Sequence, residues 1–148
     1  PNAEETVVAT YDKWADHLDL NVNSFVVVAT RGHRFDDMAL ESALKTRARY
    51  IGVLGSRRKT IMIYRRLLKQ GVPLERIKEV YAPIGLNIGA LEPEELAVSI
   101  MSEIIMVRRG GDGRQMQMGD WYIDRAAEIV ERTPEDSPED SLETSVEV

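Results

Sequence analysis

The 148-residue sequence contains no cysteine, which excludes disulfides, a thiolate nucleophile and cysteine-based zinc or iron–sulfur sites. Imidazole is almost as scarce, with His17 and His33 the only histidines. The most apolar stretch, Ala97 to Val107, is broken by Glu103 and falls short of the roughly 20 residues that a bilayer-spanning helix takes. No basic-then-apolar leader opens the sequence, so the expectation is a soluble protein of the cytoplasm with no membrane partner. Aromatic residues make up only 6%. That is too few to interleave with cations as stacking platforms for bases, and no nucleic-acid partner is expected. Two glycine signatures are missing as well. There is no Gly-x-Gly-x-x-Gly turn after a strand and no Walker A spacing of glycine and lysine, so neither the dinucleotide fingerprint nor a P-loop is present.

What remains is an ordinary globular composition, 43% hydrophobic and 30% charged, at a length that supports one domain with its own core. The formal net charge of −6 conceals a segregation. Between Arg31 and Lys69 stand 11 basic residues against only Asp36, Asp37 and Glu41, whereas Asp112 to Val148 holds 11 acidic residues and 3 basic ones. A positive middle points to an anionic ligand, and a negative end to a solvated segment.

Short apolar runs alternate with helical periodicity. Thr6 to Thr10 reads as a strand and Tyr11 to Leu18 as a short helix. Phe25 to Ala29 is apolar on both faces and rich in valine, the pattern of a buried parallel strand. Phe35 to Thr46 reads as a helix, with Asp36 and Asp37 suited to its positive end. Tyr50 to Leu54 is the next strand, and Ser56 is placed to cap a helix that runs to about Gln70. Lys78 to Tyr81 is a weaker strand. Pro93, Glu94 and Glu95 open a long helix that closes with Arg108, Arg109 and Gly110. Strand–helix alternation predicts an α/β fold, a parallel sheet with helices on both faces. The pattern divides the chain into a sheet-bearing domain, residues 1–111, and a C-terminal part, residues 112–148. In the latter Asp120 to Arg132 reads as a helix. Thr133 to Val148 repeats Pro-Glu-Asp-Ser and reads as disordered by composition.

Three turns fall at strand ends, where α/β sheets bind ligands. Gly55, Ser56, Arg57, Arg58 and Lys59 place backbone amides, a hydroxyl and three cations at a helix N-terminus, a set suited to phosphate. All three cations are expected to be solvated there. Arg31, Gly32 and His33, with Asp36, form a polar rim; with only two histidines, far apart in sequence, no metal site is expected. Gly85, Asn87 and Gly89 lie in a nearly uncharged loop whose glycines let backbone approach a ligand, or simply permit a compact turn.

Together these turns resemble the XdhC/CoxI family of xanthine dehydrogenase accessory proteins. The segments that carry the resemblance are "VVVATRGHRFDDMALESAL", "YIGVLGSRRKT" and "APIGLNIGALEPEELAVSIMSEII", with "PNAEETVVA" at the start. The resemblance implies a Rossmann-like domain whose glycine-rich first βα unit has no counterpart in this sequence. It implies that Arg31, Gly32, His33 and Asp36 match the family's rim motif. Gly55 to Lys59 match its Gly-Ser-Arg-Arg-Lys turn, and Pro83, Gly85, Gly89 and Ala90 its last loop. Arg34 and Asn87 depart from it, standing where acidic residues are common.

By that resemblance the expected function is an accessory one without turnover. The domain would bind molybdenum cofactor, as molybdopterin or its dinucleotide form, and help deliver it to a client molybdenum hydroxylase. The phosphate would rest on Gly55 to Lys59, with Gly32, His33, Gly85 and Asn87 touching the remainder. The residues themselves supply no convincing nucleophile or acid–base pair. An NAD(P)- or nucleotide-binding oxidoreductase domain is the alternative reading, and a non-catalytic interaction module the third. Because an apolar strand such as Phe25 to Ala29 should not stand as a bare edge, a homo-oligomer, most simply a dimer, is expected.

Overall fold

The computed structural model describes residues 3–31 and 35–132. Its elements are β1 (Phe25–Val28), α1 (Asp36–Leu44), β2 (Tyr50–Val53), α2 (Arg57–Lys69), α3 (Leu74–Lys78), β3 (Val80–Tyr81), α4 (Pro93–Arg109) and α5 (Asp120–Arg132), with a 3-10 turn at Trp14–His17. The three strands form one parallel sheet in the order β1-β2-β3. Val26 pairs with Ile51 and Val28 with Val53, and Gly52 aligns with Tyr81.

Strand alternation sorts the side chains between two faces. Val26, Val28, Ile51 and Val53 face Ala39, Leu40, Ala43 and Leu44 of α1 and Ile63 and Leu67 of α2, and Ile77 of α3 closes this core. Tyr50 and Gly52 point the other way, beneath α4 and the loop after β3. There the Tyr50 ring stacks on Tyr81 at 4.6 Å between centroids. A side chain is excluded at Gly52 because an added Cβ would lie 2.4 Å from Ile84. Helices thus lie on both faces of a parallel α/β sheet, with Val27 of β1 left 44% exposed on the α4 side.

Four expectations change. Thr6 to Thr10 carries no strand; Val8 is 96% exposed, and the segment lacks a ladder partner among the described residues. Apolarity and β-branching give it the look of a strand, but a strand exists only with a neighbour. The helix expected over Tyr11 to Leu18 shrinks to the four residues Trp14–His17. Between Gln70 and Val80 lies the short helix α3, which the sequence pattern does not announce. The strand expected from Lys78 begins only at Val80. β1 stands at the edge of the sheet. The chain forms two compact units, Pro1–Gly113 and Arg114–Val148. The segment read as disordered, Thr133 to Val148, lies outside the described residues.

Candidate functional site

Parallel strands deliver their carboxyl ends to one rim, so the turns after β1, β2 and β3 open on the same side. After β1, the Thr30 hydroxyl donates to Asp36 Oδ1 at 2.5 Å. Asp36 is fully buried at the start of α1. Its other oxygen is ion-paired with Lys59 of α2, whose Nζ also reaches the Leu54 carbonyl at 3.4 Å. Beside it, Asp37 pairs with Arg66. These bonds lock the rim: a carboxylate with no access to water is retained only with charged and hydrogen-bonded partners.

The turn after β2 is built as its sequence implies. Ser56 Oγ accepts from the Lys59 backbone N–H at 3.3 Å and caps α2. The expectation of three solvated cations requires correction, however. The Lys59 side chain is only 18% exposed and is held by Asp36, while Arg57 and Arg58 are exposed.

The loop after β3 begins with a cis Ala82–Pro83 bond and is clamped by α4. Glu103 accepts from the Gly85 N–H at 3.0 Å and from the Tyr50 hydroxyl at 2.5 Å. The Ser99 hydroxyl donates to the Leu86 carbonyl at 2.6 Å. Gly85 has φ +100, and a Cβ there would meet Ser99 Oγ at 2.4 Å, so the close approach and the backbone conformation both require glycine. Burial first, and then the bond to Glu103, push the Tyr50 hydroxyl well above its ordinary pKa. Tyr50, Ser99 and Glu103 are not among the site residues that the sequence suggests. Their one sequence signal is the single acid interrupting the apolar run of Ala97 to Val107.

Arg57 faces this loop across a cavity of about 280 Å³ that Gly85, Asn87, Gly89 and Ser99 also line, with no acidic residue in its wall. Open space lies where a Cβ of Gly89 would project. Ser56, Arg58 and Lys59 line a second cavity of about 350 Å³ along α2. Arg31 is elsewhere, in a groove of about 630 Å³ beside β1. Thus Arg57, Gly85, Asn87 and Gly89 come together. Arg31 does not join them, and Asp36 is spent on the rim's own scaffold. Gly32 and His33 lie outside the described residues. Among the described residues no group of His, Cys, Asp or Glu could hold a metal ion. No helix there is long and apolar enough to cross a membrane.

A parallel α/β sheet with glycine-bearing turns along its carboxyl rim defines a Rossmann-like domain. The family model of the XdhC Rossmann domain matches residues 1–104, and the chain belongs to that family. It is 37% identical over 99 residues to the uncharacterized protein YqeB of Escherichia coli (strain K12), a match covering 67% of this chain and 18% of that protein. It is 33% identical over 109 residues to a probable xanthine dehydrogenase subunit of Bacillus subtilis (strain 168), covering 74% and 31%. A crystal structure of a xanthine dehydrogenase from Bacillus halodurans superposes with TM-score 0.59 at 33% identity, covering 73% and 31%. The chain therefore spans less than a third of the length of each of these relatives.

Proposed function

We propose that this domain serves the xanthine dehydrogenase system as an accessory, holding a phosphate-bearing cofactor for transfer to a molybdenum hydroxylase. The support for that role is the family and the names of the relatives. The observation that carries the ligand class is the cavity between Arg57 and the Gly85–Gly89 loop: one exposed cation, loop backbone with open space at Gly89, and no acid in the wall. Arginine meets a phosphate bidentately, and glycine lets backbone reach it. These residues fit the phosphate end of molybdopterin or of its dinucleotide form. The cofactor is cargo here, and the chain's own work is to bind and orient it. Arg57 grips the anion; Glu103 and Ser99 fix the loop that faces it.

The chain, purified from cells that make molybdenum cofactor, is denatured and the released pterin measured by the fluorescence of its oxidised form. Pterin is expected with the unmodified chain. A loss of about tenfold is expected for Arg57→Ala at unchanged circular dichroism, as follows from removing one charge-assisted contact. No pterin from either, or equal amounts from both, would overturn the reading. Release of an adenine dinucleotide instead would favour the oxidoreductase alternative.

A further inference from the structure

α2 presents to solvent a face that does not line the Arg57 cavity, although Met62 borders the second one. Ile61, Met62, Arg65, Leu68 and Lys69 are exposed along it and follow one another at helical spacings of three and four residues. Arg65 and Lys69 have no acidic partner among the described residues, in contrast to Lys59 and Arg66 nearer the core. The helix carries six cations and no acid. This is a basic surface with apolar residues set between its charges. No aromatic side chain stands on it for base stacking: Tyr64, the helix's one aromatic, is partly buried and directed at the Val80 carbonyl. An acidic protein segment with aliphatic side chains matches it better than a nucleic acid.

The chain contains such a segment. Residues 133–148 hold Glu135, Asp136, Glu139, Asp140, Glu143 and Glu147, no basic residue, and the aliphatics Leu142, Val146 and Val148. We infer that the exposed face of α2 docks the acidic C-terminal segment of a second copy of this chain. Two copies related by a two-fold axis make the contact twice, once in each direction. The aliphatic residues of the segment meet Ile61, Met62 and Leu68, while its carboxylates meet Arg65 and Lys69.

Sedimentation velocity of the intact chain tests this. At about 100 μM protein in about 0.05 M salt, where charges act over longer distances, a dimer is expected. Its affinity should fall at least about tenfold in about 0.5 M salt. An excess of a synthetic peptide of residues 133–148 should return it to monomer, and the same peptide with every Glu and Asp replaced by Gln and Asn should not. The double variant Arg65→Glu, Lys69→Glu should be monomeric with an unchanged circular dichroism spectrum. Neither residue lines the Arg57 cavity, so pterin retention should not change and the two proposals fail separately. A chain that stays monomeric at low salt, as docking of the segment onto its own chain would give, overturns the inference. So does a folded double variant that still dimerises.

Discussion

Tyr50 shows how much one side chain contributes where a strand meets its covering helix. Its ring lies between Phe25 and Tyr81, and its hydroxyl ends on Glu103. Burial, and then that bond, raise its pKa, so the unfolded chain releases the phenolic proton at a lower pH than the folded one. Tyr50 therefore contributes stability that is fully present below about pH 10, the ordinary tyrosine value, and that is lost as pH climbs above it. Tyr64, raised by burial, adds in the same direction. Urea midpoints measured from pH 8 to 11 should fall less steeply in Tyr50→Phe, with a residual slope from Tyr64; identical slopes would refute the assignment. Glu103 allows a sharper comparison. Glu103→Gln keeps an acceptor for both the Gly85 N–H and the Tyr50 hydroxyl and should cost little. Glu103→Leu strands the buried Tyr50 hydroxyl and the partly buried Gly85 N–H, the buried one at about 1–3 kcal/mol, so a loss of at least about 1–3 kcal/mol is expected in chemical denaturation. Equal stability of the two variants would show that the carboxylate does not hold the loop.

At the scale of elements, legibility follows locality. β1, β2, α1, α2 and α4 are readable because their signals lie within the segment: valine runs, a Ser56 cap, and acids leading and bases closing α4. The Gly55–Lys59 turn and the glycines of the last loop are readable for the same reason. What is not readable depends on partners distant in sequence. Nothing near Lys59 reveals that it neutralises Asp36, and nothing near Thr6 to Thr10 reveals that no strand among the described residues pairs with it. α3 stays hidden because its five residues are too few to show a period. Its Arg76 nonetheless closes α1: Nη2 donates to the Leu44 carbonyl at 2.8 Å and to the Thr46 carbonyl at 3.2 Å. The Leu44 carbonyl is one that the end of α1 leaves without an intrahelical partner, and Thr46 lies just past its C-cap Lys45. Arg76→Met keeps the aliphatic stem and removes both bonds, together with the exposed ion pair to Glu79, which adds little. A loss of about 1–3 kcal/mol is expected from thermal unfolding; a melting curve that does not move would mean that water serves the carbonyls equally well.

For the whole molecule, the segregation of charge decides how the chain behaves in solution. Residues 1–113 carry 16 basic and 15 acidic residues, so the net charge of −6 arises from the C-terminal part, and residues 133–148 alone supply six acids and no bases. A chain ending at Arg132 loses those six acids and no cation, which takes its formal charge from −6 to zero. Long-range repulsion between copies then disappears, and the basic face of α2 dominates what a charged surface meets. At pH 7 the intact chain should bind an anion exchanger and pass a cation exchanger, while the shortened chain should bind the latter and lose solubility. The fold should be indifferent to the cut. Removing residues 133–148, whose composition offers little to a core, should leave stability, measured in dilute solution where copies do not meet, within about 0.5 kcal/mol. A larger fall in dilute solution would place residues 133–148 among the determinants of the fold. Retention of the shortened chain on the anion exchanger would mean that its cations are neutralised within the molecule rather than presented to a partner.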